Sequence, residues 1–240
     1  MSHKIIVESF NDQAIYKHIL DNFCQSTMNP EISTEIEPIT NDLDWIELNG
    51  LNESKLSLKL KELQSDLLRA KKTPKIGIII DLDDSTISDR IDYLNVICSK
   101  VFEINIDIKK TNEFNKYILP EYNLEFELGY CFSGLNGKGE LEHILINIAD
   151  TTISYHADCL KTCWVNCLNE KGITFREKDL RKLWIDFYKR YDCLTSSQKN
   201  NAGKYTQWQN FLEKHPNKFD FSKEIHELNE IKIFLTKFSS

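Results

Sequence analysis

The chain opens with a short apolar run at residues 4–7, followed by Glu8-Ser9-Phe10-Asn11-Asp12. Ala14, Ile15, His18, Ile19 and Leu20 then fall at helical spacing, predicting a strand, a tight turn and a helix over 12–24. A longer run, Ile76-Gly77-Ile78-Ile79-Ile80, stops abruptly at Asp81-Leu82-Asp83-Asp84. An unbroken apolar run of this length predicts a strand buried on both faces, as in a parallel sheet covered by helices. Before it, Leu56, Leu60, Leu63, Leu67 and Leu68 mark one face of a helix over 53–71; after it, Ile87, Ile91, Leu94, Val96 and Ile97 mark another. This strand–helix–strand rhythm belongs to parallel sheets with crossovers.

Elsewhere the pattern is less regular. Met28-Asn29-Pro30 marks a break, residues 33–39 alternate as an edge strand would, and Trp45 to Leu48 begins a further short element. Over 101–131 the chain turns strand-like, with Phe102, Ile104, Ile106 and Ile108 alternating with polar residues, then 117–119 and 125–130. Residues 133–139 are the most loop-like stretch, and helices are predicted at about 140–149, 155–170, 177–191, 204–214 and 222–239. The fold expected is therefore α/β, a mostly parallel sheet flanked by helices in residues 1–150, with a helical C-terminal region over 151–240 packed on it.

The 240 residues are 41% hydrophobic, and 13 Phe, 9 Tyr and 4 Trp supply material for a core. A net charge of −7 counts against broad electrostatic binding of duplex nucleic acid. The basic residues Arg69, Lys71, Lys72 and Lys75 would sit at the amino end of the Asp81 strand, away from the acids, and Lys109-Lys110 follow a later run. No apolar leader or bilayer-length apolar stretch is present, so a cytoplasmic protein with no membrane partner is expected. Seven cysteines, an odd number, are expected to be reduced thiols. His156, Cys159, Cys163 and Cys167 form one helical stripe, read here as buried cysteine packing as a small hydrophobe rather than as a soft-metal site.

The candidate chemistry lies at the two strand ends. Ligands of such sheets bind beyond the carboxyl ends of the strands. Side chains on a strand repeat every second residue, which would put Asp81 and Asp83 on one side, with Glu8 facing them from a neighbouring strand. Close carboxylates repel unless a cation neutralises them, and an oxygen-only set suits Mg²⁺ or Mn²⁺. The other reading is a solvated turn capping the next helix through Ser85 and Thr86.

Val7-Glu8-Ser9-Phe10-Asn11-Asp12 with Asp81-Leu82-Asp83 resembles the Toprim domain, whose motifs are a strand with Val-Glu-Gly-x-x-Asp and a strand with Asp-x-Asp. That domain occurs in topoisomerases, primases, small recombination proteins and overcoming-lysogenisation-defect nucleases. Ser9 departs from its usual glycine. Gly137-Lys138-Gly139-Glu140-Leu141-Glu142, Lys204, Tyr205, Trp208, Leu212 and Ile233-Phe234-Leu235 resemble a bacterial Toprim-like family of undefined function. The resemblance implies a Rossmann-like sheet and a Mg- or Mn-dependent nuclease acting on nucleic acid. In it Glu8 is the general acid or base and Asp81 and Asp83 hold the metal. Glu142, and after it Glu140, would help hold a second ion; both also suit a helix's first turn, where negative charge is favourable. Asp12 and Asp84 are accessory candidates that could equally cap helices. Two alternatives stand beside the nuclease. One is a catalytically degenerate Toprim-like module that binds nucleotide or nucleic acid with a protein partner, for example in phage defence. The other is a haloacid-dehalogenase-like phosphatase with Asp81 as nucleophile and Asp83 as acid/base.

Overall fold

The computed structural model describes residues 2–24, 33–39, 53–67, 74–134 and 139–239. The break at Met28-Asn29-Pro30, the element at Trp45–Leu48, the basic residues Arg69, Lys71 and Lys72, and Leu68 lie outside these residues. The chain divides into two compact units, 1–140 with 224–240, and 141–223. The expected boundary near 150 therefore falls inside the second unit, and the last helix belongs to the first.

In the first unit, strands β1 (Ser2–Val7), β2 (Ser33–Pro38), β3 (Lys75–Asp81), β4 (Phe114–Leu119) and β5 (Leu124–Ser133) form a sheet of order β2-β1-β3-β5-β4. All neighbours are parallel except the β4–β5 hairpin. The helices are α1 (Phe10–Phe23), α2 (Glu53–Leu67), α3 (Ile87–Phe102) and, at the end of the chain, a helix over His226–Ser239. Period-two alternation divides the sheet's faces. Ile6, Ile76, Ile78, Ile80, Leu128 and Tyr130 pack with Leu56, Leu60 and Leu63 of α2 and Ile91, Leu94 and Ile97 of α3.

The other face carries α1 and the last helix, which touch each other. Here Gly77 and Gly129 are register partners on β3 and β5. A Cβ on Gly77 would lie 3.0 Å from the Phe234 ring, and one on Gly129 would lie 2.7 Å from Phe114 and 2.9 Å from the Glu113 carbonyl. The bare backbone lets Phe114 stack on Phe234 at 5.0 Å between ring centres. His3 is buried beside Phe238, and its Nδ1 accepts the Lys75 N–H at 3.0 Å. Burial, then the Lys75 charge, lowers its pKa to about 4.

The alternating segment at 104–108 is not a strand: α3 runs on to Phe102, and the residues after it are extended chain bonded to that helix's side chains. Asn95 accepts the Ile108 N–H at 3.2 Å and donates to its carbonyl at 2.9 Å, while Ser99 Oγ accepts the Ile106 N–H at 2.9 Å. Two polar side chains thus replace a neighbouring strand and allow Ile106 and Ile108 to be buried.

The second unit contains α4 (Leu141–Ile148), α5 (Tyr155–Cys159), α6 (Val165–Asn169), α7 (Glu177–Phe187), α8 (Ser196–Lys199), α9 (Ala202–Tyr205) and α10 (Trp208–Lys214), so His226–Ser239 is α11. A π turn, Leu160–Trp164, joins α5 to α6, and another, Tyr188–Cys193, extends α7. Tyr188 anchors the interior: its hydroxyl donates to the Lys218 carbonyl at 2.9 Å and accepts the Asp150 N–H at 3.1 Å. Cys24, Cys98, Cys131 and Cys193 are buried, but Cys159, Cys163 and Cys167 are exposed, which corrects their reading as core residues. The helix buries Ala157, Leu160 and Val165 instead, and the cysteines fall on the other side.

Gly129→Ala should cost about 1–3 kcal/mol in denaturant unfolding, because backbone as well as ring atoms obstruct the new methyl. Gly77→Ala, which meets ring edges alone, should cost less, and the reverse order would refute this packing account. His3 is held neutral in the fold but protonates near the ordinary histidine value of 6.5 once unfolded, so its contribution is present above that pH and lost as pH falls towards 4. Relative to a His3→Gln variant, the wild type should lose stability between those two values, as read by urea midpoints across the range.

Candidate functional site

The order β2-β1-β3 means that the chain leaves β1 to one side, then returns across it to build β3 on the other. The carboxyl ends of β1 and β3 therefore flank a topological switch point, where adjoining loops run apart and leave a crevice. Glu8 follows β1, and Asp81 ends β3. Glu8 Oε1 accepts the backbone N–H of Asp81 at 2.8 Å, tying the two strand ends together.

Each strand end leads into a helix through the same device. Ser9 caps α1 and Asp12, three residues on, accepts the Ser9 N–H at 2.9 Å; Thr86 caps α3 and Asp89 accepts the Thr86 N–H at 3.2 Å. These are reciprocal capping boxes. Ser9, the departure from the Toprim pattern, is thus the N-cap of α1. Asp12 serves that cap from the first turn, and Thr86, rather than Asp84, caps α3. Asp84 is exposed in the intervening turn.

Glu8 keeps one edge towards solvent but is otherwise enclosed by protein. Desolvation raises its pKa to about 7, reinforced by the charges of Asp12 and Asp83 and opposed by the Asp81 N–H and Arg90. Asp81 is oriented by Ser133, its register partner at the end of β5, whose hydroxyl donates to the Asp81 carboxylate. Tyr16, fully buried on α1, lies beside Ser133. Burial, then the Asp12 and Asp81 charges, holds Tyr16 protonated far above the ordinary phenol range.

Asp83 departs from the side-by-side placement expected with Asp81. The strand ends at Asp81, and Asp83 has φ of 51°, a left-handed conformation that Asp tolerates. The period-two argument therefore stops before reaching it. Its backbone exchanges two hydrogen bonds with Gly139, at 2.8 and 2.7 Å, and its carboxylate takes the Arg90 guanidinium at 2.7 Å. Arg90 also donates to the Leu82 carbonyl at 3.3 Å. Gly139, with φ of 91°, occupies a conformation that a side chain would strain.

Glu140 is buried in the first unit. Glu142 lies in the second, in the first turn of α4, 3.8 Å from Lys182 of α7. Lys75 donates to the Lys237 carbonyl at 2.9 Å, in the last turn of the final helix. Sequence reading missed Ser133, Tyr16 and Arg90. Arg90 carried one signal, since it lies four residues after the cap Thr86 and so faces back to the turn holding Asp83.

The oxygen-only donors Glu8, Asp81 and Asp83 have the chemistry of a hard divalent cation, and the repulsion felt by Glu8 is what such an ion relieves. Among the described residues no three His, Cys, Asp or Glu side chains converge to hold a metal. Arg90 holds Asp83 and the Asp81 amide holds Glu8, so a cation would have to displace the first of these partners to gain a third carboxylate.

No curated protein matches this sequence. The solved structure of hypothetical protein PH0156 from Pyrococcus horikoshii OT3 is similar in fold, with a TM-score of 0.50 and 13% identity over 100% of this chain and 99% of that one. Residues 2–235 match the family model described as "Protein of unknown function (DUF3226)". That match takes in both β–acid–capping-box units and the first ten of the 14 residues of α11, and the chain belongs to the DUF3226 family.

Proposed function

We propose that the crevice between the ends of β1 and β3 is a Toprim-type phosphoryl-transfer site that takes Mg²⁺ or Mn²⁺ and cleaves phosphodiester bonds in nucleic acid. The observation that carries this reading is the Glu8–Asp81 link at 2.8 Å across the topological switch point. It brings two acids of separate strands to the place where open α/β sheets bind ligands. A bound cation would neutralise phosphate charge and acidify a water. Asp81, steadied by Ser133, and Asp83 would hold it. Glu8, with a pKa of about 7, can take a proton from an attacking group or return one to a leaving oxygen at neutral pH. Arg90 supplies the balancing positive charge at Asp83 and, once released, a fork of N–H donors suited to phosphate.

A second reading has its own observation. The Asp83–Arg90 ion pair satisfies one of the acids from within, as a degenerate module binding nucleotide or nucleic acid beside a protein partner would. The phosphatase reading has less in its favour: Asp83 is engaged by Arg90, and the downstream acids Asp150 and Asp158 serve local roles, at a 3₁₀ cap and as acceptor for Trp184. Among the described residues no helix is long and apolar enough to cross a membrane.

Titrating Mn²⁺ or Mg²⁺ should raise the melting temperature saturably, by about 2.7 kcal/mol of stability at a hundredfold excess over Kd. The shift should vanish in Glu8→Gln and in the Asp81→Asn, Asp83→Asn pair; a shift that survives in both would move the metal elsewhere. The same Asp pair should abolish Mn²⁺-dependent cleavage of labelled single- and double-stranded substrates while leaving stability equal or higher, since it removes crowded charge. Wild-type cleavage that persists in the double variant would overturn the nuclease assignment.

A further inference from the structure

The second unit holds a cavity of about 360 Å³ that the crevice chemistry does not use. Leu183, Asp186, Phe187, Arg190 and Tyr191 line it, three and four residues apart along one face of α7 and the π turn that extends it. Thr206, at the end of α9, lines it from the other side. Both walls are tied in place. Lys189, buried over the Trp208 ring at 4.2 Å, donates to the Thr206 carbonyl at 3.0 Å. Lys199 donates to the Tyr191 carbonyl at 2.8 Å. A cavity held open this way spares a ligand the cost of ordering it, and π turns recur at functional sites.

The lining offers three kinds of contact. The Phe187 and Tyr191 rings lie 5.0 Å apart between centres at 49°, a surface suited to a planar aromatic ring. Of the charged groups, Asp186 is 3.6 Å from the Lys189 ammonium, so these two offset each other. Arg190 has no ion pair or hydrogen bond among the described residues. It leaves the cavity one uncompensated positive charge and a planar fork of N–H donors, the geometry that matches phosphate. The Thr206 hydroxyl already donates to the Ala202 carbonyl at 2.8 Å, so towards the cavity it can only accept, as can the Asp186 carboxylate.

The complement of this lining is a molecule with an aromatic ring, hydroxyl or amine donors, and an anion. A one-ring carboxylate lacks the donors, and inorganic phosphate lacks the ring. We propose that the cavity binds a nucleoside monophosphate, with Arg190 on the phosphate, Phe187 and Tyr191 against the base, and Thr206 and Asp186 accepting from sugar or base. The site is separate from the acidic crevice and does not depend on the activity proposed there.

The test is isothermal titration calorimetry of the full-length chain with adenosine monophosphate, adenosine and inorganic phosphate in metal-free buffer, with circular dichroism confirming that each variant is folded. The wild type should bind adenosine monophosphate at a single site, about tenfold or more tightly than adenosine or phosphate alone, as a charge-assisted hydrogen bond implies. Arg190→Ala should lower that affinity to the level of adenosine, and Tyr191→Leu should weaken nucleotide and nucleoside alike. The Asp81→Asn, Asp83→Asn pair should bind as the wild type does. No adenosine monophosphate bound by the wild type, an unchanged affinity in Arg190→Ala, or a loss of binding in the Asp pair would overturn the site.

Discussion

Four acids, Glu8, Asp12, Asp81 and Asp83, crowd the carboxyl edge of β1 and β3, and the local structure is arranged to make that charge tolerable. Each has a different partner: a neighbouring strand's amide, a helix cap, a serine backed by a buried tyrosine, and an arginine. Burying these groups without partners would cost several kcal/mol each. The strain left over appears where the partners are weakest, at Glu8, whose pKa moves up to about 7. A carboxyl shifted by burial and neighbouring charge at such an edge is a candidate functional group.

The parts of the fold legible in the sequence are those set by local pattern. The Ile76–Ile80 run could hardly be anything but a buried strand, and the acids after it stand at a sheet edge because the strand ends there. The alternation at 104–108 misled because it reports which side chains are buried, not what their backbone bonds to; Asn95 and Ser99 of α3 supplied those bonds. Asp83 escaped prediction for a related reason. A single left-handed residue re-aims a side chain that strict alternation would have placed beside Asp81.

The site's remaining members depend on register between distant segments. Ser133 reaches Asp81 because β5 pairs with β3, and Tyr16 reaches Ser133 because α1 covers that face. Neither pairing has a signature within its own neighbourhood. The exposed cysteines illustrate the converse: their spacing was plain, but which side of the helix meets the core was decided by Ala157, Leu160 and Val165.

The space left by Gly77 accepts the rings of Phe234 and Phe238 from α11, far along the chain. The first unit is thus assembled from two stretches separated by the whole of the second. During synthesis from the amino terminus, the nascent sheet must hold this apolar groove open until the last helix leaves the ribosome. That long-range closure is slow by its topology. It leaves an apolar surface uncovered while residues 134–225 are made, the kind of exposure that chaperones shield.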